Sequence, residues 1–149
     1  MGWVEELRGK VIGVDTAPFI YFIERKPIYV DTLRPFFQAV SRGDIRIVTS
    51  TVTLLEVLVV PLRNNEESVA QQYRDILFRT QGLTTYVVTR PIAEEAARLR
   101  AVHNLRTPDS IHMATAINAA ASFFLTNDVK LPSSPRLPTL VLDNLIIKS

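Results

Sequence analysis

The sequence predicts an α/β fold in which a mainly parallel sheet carries helices on both faces. Short apolar runs alternate with longer amphipathic segments along the chain, which is the pattern of parallel α/β domains. Two of the runs, 10–15 and 122–126, are almost wholly apolar, as expected of strands that are covered on both faces. Serine, threonine or proline begins several of the amphipathic segments, where these residues cap or start helices.

The first strand is predicted to end at Asp15. Thr16 can cap the helix that follows, and Pro18 suits its first turn because that turn leaves backbone amides unbonded. A second helix is predicted over 31–42, where a basic last turn followed by Gly43 forms a stop signal.

The second strand, at 45–49, leads into a helix that serine or threonine can cap. Apolar residues recur there at helical spacing with one acid among them: Val52, Leu55, Glu56 and Val59. The spacing predicts that Glu56 lies on the core face with its apolar neighbours. Residues 57–60 would also suit a strand, so periodicity leaves both structures open. Pro61 is expected to end or kink the element.

The remaining elements continue the alternation, without a repeat or an interdomain linker. They are a polar helix at 65–81, a strand at 84–88, a helix from Thr89, an alanine-rich helix from 107 to 121, a strand at 122–126 and a short strand at 139–142 after a proline-rich loop.

Length and composition are those of one folded domain. A chain of 149 residues can bury a single core, and 47% apolar with 21% charged residues is typical of globular proteins. The absence of cysteine excludes disulfides, zinc–thiolate sites and thiol nucleophiles. There is no basic leader before an apolar stretch, and no apolar run approaches the ~20 residues that span a bilayer. We therefore expect one cytoplasmic domain over 1–149.

Four carboxylates stand where the pattern predicts burial or the end of a buried strand. They are Asp15, Glu56, Asp109 and Asp128. Because strand ends and helix starts meet at one edge of a parallel sheet, we expect the four to converge. A buried carboxylate without a partner costs several kcal/mol, so it needs a cation. Magnesium and manganese prefer such oxygen ligands. The sequence thus predicts a catalytic site with one or two of these ions, and the spacing leaves the number open.

Each acid also has a structural explanation. Asp15 could cap the helix that follows it, Asp109 could stabilise a helix start through the helix dipole, and Asp128 could form turn hydrogen bonds. These are the commoner roles of such residues taken singly. Glu56 is the exception, because a charge on an apolar helix face is seldom buried without a partner. The joint pattern, rather than any one residue, therefore indicates metal binding.

Five further residues adjoin the acids and are predicted to support them. His112 lies three residues after Asp109, which is helical neighbour spacing. We expect its imidazole to hydrogen-bond a ligand rather than to bind the ion, since oxygen ligands suit magnesium. The other four could position ligands or waters, or could equally serve as caps and turns: Thr16, Ser110, Thr126 and Asn127.

The basic side chains favour a polyanionic partner. The chain has 13 arginines, four lysines and a net charge of +2. If four of the 15 acids bind metal, 17 basic side chains face 11 remaining acids, and such a surface attracts nucleic acid. A generic arginine-rich surface explains the composition equally well.

Four segments, in this order, resemble the motifs of a known family. They are Val-Ile-Gly-Val-Asp-Thr (11–16), Thr-Ser-Thr-Val-Thr-Leu-Leu-Glu-Val-Leu (49–58), Thr-Pro-Asp-Ser-Ile-His-Met-Ala-Thr-Ala (107–116) and Phe-Phe-Leu-Thr-Asn-Asp (123–128). The set is similar to the PIN-domain ribonucleases, and most closely to the VapC-like toxins of toxin–antitoxin pairs. The four acids match the family's metal-binding positions. The resemblance implies an α/β/α sandwich, metal-dependent RNA cleavage, a homodimer and a cognate antitoxin.

Two other functions are open on the sequence. A receiver-type phospho-switch also gathers acids around magnesium, but it pairs two acids after the first strand and places an Asp after the third and a Lys after the fifth. Here one acid follows the first strand, no Asp ends the strand at 84–88, and no Lys follows Val141. The nearer alternative is a non-catalytic PIN-like module that binds RNA or protein, although all four acids are present.

Overall fold

A computed structural model describes residues 2–146. A five-stranded sheet forms the centre of the molecule: β1 (Val11–Val14), β2 (Arg46–Ser50), β3 (Leu83–Tyr86), β4 (Phe123–Thr126) and β5 (Thr139–Val141). The strands lie in the order β3-β2-β1-β4-β5, and every neighbouring pair is parallel. The predicted α/β class is therefore confirmed, with a sheet that is parallel throughout the described residues.

Seven α-helices connect and flank the strands of the described chain. They are α1 (Trp3–Glu6), α2 (Thr16–Ile23), α3 (Tyr29–Arg42), α4 (Thr51–Arg63), α5 (Glu67–Arg79), α6 (Arg90–His103) and α7 (Thr107–Asn118), and a 3-10 turn (Leu142–Leu145) follows β5. The sequence did not predict α1 or the 3-10 turn, because four residues are too few to show a period. Within 2–146, no helix has the length and apolar character needed to cross a membrane.

Side chains on the two faces of the sheet enter different cores. On β1, Ile12 and Val14 pack in the larger core with aromatic residues of α2 and α3, while Gly13 faces α7. On β4, Leu125 joins the larger core and Phe124 joins a smaller core beneath α7. Because successive residues of a strand point to opposite faces, helices cover both sides. The three-layer α/β/α sandwich is confirmed.

Gly13 lets α7 pack directly on β1. A Cβ atom at this position would overlap Cβ of Ala116 and lie 3.0 Å from Cδ1 of Phe124. A glycine in a strand interior often marks such a close approach. The contact lies in the last turn of α7 and sets how closely this helix, whose first turn carries Asp109, packs on the strand that precedes Asp15.

The direction in which strands are added reverses beside β1. The chain places β2 and β3 on one side of β1 and then returns to place β4 on the other side. In parallel α/β sheets, the carboxyl ends of the strands at such a reversal form the usual ligand-binding crevice. Strand β1 ends directly before Asp15, and β4 ends two residues before Asp128.

Helix α4 turns a different face to the core from the one predicted. The buried residues are Thr53, Val57 and Pro61, whereas Leu55 and Val59 are exposed. The core face expected from the spacing was wrong because α4 is apolar around most of its circumference, so that periodicity could not separate the two faces. Pro61 also does not end the helix, which continues to Arg63.

Candidate functional site

The four predicted acids lie on elements that meet at the reversal between β1 and β4. Asp15 is the N-cap of α2, Glu56 lies in the second turn of α4, Asp109 lies in the first turn of α7, and Asp128 follows β4. The pKa of Arg106 is raised by its hydrogen bond to Asp109, and the charges of Glu56 and Asp128 act in the same direction. The charge of Asp109 also acts on Asp15. Arg106 is thus coupled electrostatically to Asp109, Glu56 and Asp128, and Asp109 to Asp15.

Asp15 is a largely buried carboxylate that hydrogen-bonds only neutral donors. Oδ1 accepts from the amide of Thr16 at 2.8 Å, and Oδ2 accepts from the hydroxyl of Thr126 at 2.7 Å. Burial raises the pKa of Asp15, and the nearby imidazole of His112 and the two hydrogen bonds oppose this rise only in part. Among the ion pairs of residues 2–146, none includes Asp15. Asp15 thus lacks a paired positive charge.

Two groups hold one oxygen of Glu56. The hydroxyl of Thr16 donates to Oε1 at 2.7 Å, and Nε2 of His112 lies 2.8 Å from the same oxygen. The hydrogen bond with His112 is the main reason why the pKa of Glu56 is lowered from its ordinary value of 4.5. Burial raises this pKa, and the hydrogen bond from Thr16 lowers it further. Glu56 is therefore held ionised, with one oxygen fixed.

His112 is buried and has one unpaired nitrogen. Its side chain is 1% exposed, Nε2 lies 3.2 Å from the hydroxyl oxygen of Thr16 as well as beside Glu56, and Nδ1 has no hydrogen-bond partner in the described structure. A buried N–H without an acceptor costs about 1–3 kcal/mol. We therefore assign to Nε2 the proton that is donated to Glu56.

Arg106 covers the carboxylate of Asp109. Nε of Arg106 lies 3.1 Å from Oδ2, and Nη2 lies 3.5 Å from Oδ1. The side chain of Asp109 is 13% exposed, whereas that of Arg106 is 75% exposed. Sequence reasoning missed Arg106, although its position three residues before Asp109 is ion-pair spacing at a helix start.

Asp128 is positioned by a turn and by Thr126. The amide of Asp128 donates to the hydroxyl oxygen of Thr126 at 3.0 Å, and Oδ1 of Asp128 accepts from the amide of Lys130 at 2.9 Å. The second contact is the turn chemistry typical of aspartate. Since the hydroxyl of Thr126 also donates to Asp15, one side chain links the two acids at the ends of β1 and β4.

Two of the predicted supporting residues make contacts away from the acids. The amide of Asn127 donates to the hydroxyl of Tyr29 at 3.3 Å and accepts from the backbone of Asp143 at 2.9 Å. The hydroxyl of Ser110 donates to the carbonyl of Thr107 at 2.7 Å. In this structure these groups connect the segment after β4 to α3 and the 3-10 turn, and close the first turn of α7.

The donor set fits a hard divalent cation such as Mg²⁺ or Mn²⁺. Its groups are carboxylate and hydroxyl oxygens, and Asp15 is a largely buried carboxylate with no paired cation. In their present positions, no three His, Asp or Glu side chains of residues 2–146 are close enough together to hold a metal ion. Asp109 is turned to Arg106, and Glu56 to Thr16 and His112. Metal binding therefore requires these side chains to move.

Comparisons with known proteins identify related folds. No curated protein sequence matches the chain. A chain of VapBC2 from Rickettsia felis, in a crystal structure with a promoter DNA fragment, is 18% identical with a TM-score of 0.67 and aligns over 88% of this chain and 98% of its own. A chain of a toxin–antitoxin complex from Klebsiella pneumoniae is 19% identical with a TM-score of 0.64, and the alignment covers 90% of this chain and 98% of that one. A chain of DNA-bound VapBC from Salmonella typhimurium is 18% identical with a TM-score of 0.62, and the alignment covers 89% of this chain and 98% of that one.

At these identities, the structural likeness concerns the fold alone. The family model of the PIN domain, in contrast, matches the sequence itself over residues 12–136. The match includes all four acids and, apart from Val11, strands β1 to β4. On this match, which spans most of its length, the chain belongs to the PIN domain family.

Proposed function

We propose that the chain is a divalent-metal-dependent endoribonuclease and the toxin of a toxin–antitoxin pair. The observation that carries the proposal is Asp15, a partly buried carboxylate that forms no ion pair among the described residues and lies at the strand reversal, directly after β1. Membership of the PIN domain family supports nuclease chemistry. Magnesium or manganese is the proposed cofactor, and single-stranded or structured RNA is the proposed substrate.

Asp15, Glu56 and Asp109 would hold the ion, and Asp128 would contribute directly or through a water. When bound, such an ion would polarise a phosphodiester and lower the pKa of a water beside it. Thr126 keeps Asp15 and Asp128 in a fixed relation, because its hydroxyl bonds to both residues. The donors on Oε1 of Glu56 favour its charged form. These contacts would thus keep the proposed site negatively charged in the absence of a cation.

The proposed partners are RNA and an antitoxin protein. The arginine-rich composition would draw RNA to the site. The similar chain from K. pneumoniae comes from a toxin–antitoxin complex, and the R. felis and S. typhimurium chains come from VapBC assemblies. These sources support an antitoxin partner for this chain. A cytoplasmic location, where RNA is abundant, is part of the proposal.

We also propose that the exposed face of α4 forms a homodimer interface. Leu55, Val59 and Leu62 are 63%, 42% and 49% exposed and recur along one side of the helix. A contiguous exposed apolar patch marks an interaction site, and a two-fold dimer would bury it against its copy.

Leu55→Glu is expected to shift the chain from dimer to monomer in sedimentation velocity. Val102→Glu, at an exposed valine of α6, is the control. A dimer that survives Leu55→Glu would contradict this interface.

The nuclease proposal is tested by incubating the purified chain with RNA pools, with and without Mg²⁺ or Mn²⁺. We expect cleavage with either ion and none in chelator. Asp109→Asn should reduce the rate by about 10²–10³-fold, because one charged group at the reacting centre is lost. Asp75→Asn is the matched control, since Asp75 is a half-exposed acid on α5, which carries none of the four acids, and pairs with Arg79.

The outcomes separate the candidate functions. Metal-dependent cleavage that continues unchanged in Asp109→Asn would contradict the proposed site. RNA binding without turnover in excess manganese would instead favour the non-catalytic PIN module.

A further inference from the structure

We propose that Arg106 is an exchangeable counter-ion of the site. Its guanidinium neutralises Asp109 in the metal-free protein, leaves when a divalent cation enters, and then binds a phosphate oxygen of the RNA. This inference rests on the metal-dependent nuclease function proposed above. It adds to that function a residue that positions the substrate and regulates access of the cation.

Arg106 occupies the place that a cation would take on Asp109. Its nitrogens contact both carboxylate oxygens, at 3.1 Å and 3.5 Å. An arginine fork of this kind uses the directions in which the carboxylate would bind an ion. Among the Arg and Lys side chains that the structure describes, only Arg106 forms an ion pair with one of the four acids.

One partner of this pair is fixed and the other is free to leave. Asp109 is 13% exposed in the first turn of α7, and that helix packs closely on β1 at Gly13. Arg106 precedes the helix, and its side chain is 75% exposed. Exposed ion pairs contribute little to stability, so a doubly charged cation can displace the guanidinium without disturbing the fold. Arg106 is therefore the mobile member of the pair.

The displaced guanidinium remains at the mouth of the site. It begins beside Asp109, and the charges of Glu56 and Asp128 also act on it. A guanidinium presents several donors in one plane, which matches the oxygens of a phosphate group. An RNA backbone that reaches the four acids would bring a phosphate into this position. The residue that blocks the empty site thus becomes a contact for the substrate.

The exchange predicts opposite effects of Arg106→Gln on the two ligands. Loss of the competing positive charge should increase affinity for the metal, whereas loss of the phosphate contact should reduce affinity for RNA. A residue that only stabilised the local fold would not raise metal affinity when it is removed.

Metal affinity is measured by calorimetric titration of the metal-free full-length chain with Mn²⁺. We expect Arg106→Gln to bind Mn²⁺ about three- to tenfold more tightly than the wild type, because a unit charge close to the ion no longer competes with it. Arg90→Gln is the matched control. Arg90 also stands at the start of a helix and pairs with a nearby acid, Glu94. Neither residue belongs to the proposed metal site. Its removal should leave the Mn²⁺ affinity unchanged.

RNA affinity is measured on a single-stranded oligonucleotide with Ca²⁺ in place of Mg²⁺, over a series of salt concentrations. Arg106→Gln is expected to bind about three- to tenfold more weakly, and the slope of log affinity against log salt should become shallower by about 0.7, the value for one phosphate contact on a single strand. Arg90→Gln should change neither quantity.

The outcomes distinguish this inference from the function on which it rests. If Arg106→Gln binds Mn²⁺ as weakly as the wild type or more weakly, the exchange is overturned. Tighter Mn²⁺ binding with unchanged RNA binding overturns the phosphate contact and with it the exchange. In either of these two cases the proposed metal centre still holds, provided that the wild type binds Mn²⁺ and that Asp109→Asn abolishes this binding. Failure of the wild type to bind Mn²⁺ overturns the metal centre and the exchange together.

Discussion

Asp15→Asn is expected to abolish metal-dependent RNA cleavage and to leave the metal-free protein at least as stable as the wild type. Asparagine has nearly the same shape and caps a helix as well as aspartate does, but it lacks the charge that a cation requires. We expect a loss of about 10²–10³-fold in cleavage rate. Stability does not fall, because burial raises the pKa of Asp15 and the ionised carboxylate is therefore a cost to the metal-free fold.

The pH dependence of stability gives a second readout for Asp15→Asn. Because the folded pKa lies above the ordinary value of 3.8, the native state holds this proton more tightly than the unfolded chain does. The Asp15 contribution to stability therefore decreases as the pH rises from 3.8 through the folded pKa, and it stays low above that pKa. The advantage of the asparagine variant should develop over this interval and persist at neutral pH.

Thermal unfolding in chelator at several pH values measures this difference. Asp31→Asn is the control, since Asp31 is an exposed acid paired with Arg34 on α3. A lower unfolding midpoint for Asp15→Asn than for the wild type at pH 7 would show that the carboxylate stabilises the fold as a cap. Cleavage at the wild-type rate would show that it does not serve the reaction.

Glu56→Gln is expected to lose cleavage to a similar extent but to destabilise the protein. The hydroxyl of Thr16 and Nε2 of His112 both contact one carboxylate oxygen, and a neutral amide oxygen accepts such bonds more weakly. We expect the free energy of unfolding to fall by about 1 kcal/mol at neutral pH. The two carboxylates should therefore respond to neutralisation with opposite changes in stability.

The sign of the pH effect is also reversed for Glu56. Its folded pKa lies below the ordinary value of 4.5, so its contribution is fully present above that value and is lost as the pH falls through the folded pKa. The stability difference between wild type and Glu56→Gln should therefore shrink towards acid pH. Urea unfolding at neutral and acid pH tests this, with Glu94→Gln as the control at an exposed acid. Equal stability of wild type and Glu56→Gln at neutral pH would contradict the hydrogen-bonded arrangement.

The elements of the fold were predictable where local sequence determines them. Strands β1 and β4 are continuous apolar runs that end at polar residues, and parallel strands buried on both faces have this signature. The orientation of α4 was not predictable, because Leu55 and Val57 are equally apolar and only the packed structure decides which of them is buried. The strand reversal beside β1 is likewise a property of the whole chain.

In the candidate site, too, local sequence predicts some features, and others depend on residues that are distant in the sequence. The positions of Asp15, Asp109 and Asp128 at strand ends and a helix start follow from local patterns. The contacts of Asn127 do not, because its partner Tyr29 lies 98 residues away. Arg106 was within reach of local reasoning, since helical spacing alone places it beside Asp109.

The close contact at Gly13 makes the packing of α7 on β1 depend on a backbone position without a side chain. Asp15 directly follows β1 and Asp109 lies in the first turn of α7, and these two elements pack closely because Gly13 faces Ala116 in the last turn of the helix. A larger side chain at this position would push the helix away from the strand. We expect such a substitution to move α7, and Asp109 with it, relative to β1 and Asp15. The relative placement of these two acids therefore depends on an interior residue that has no functional group.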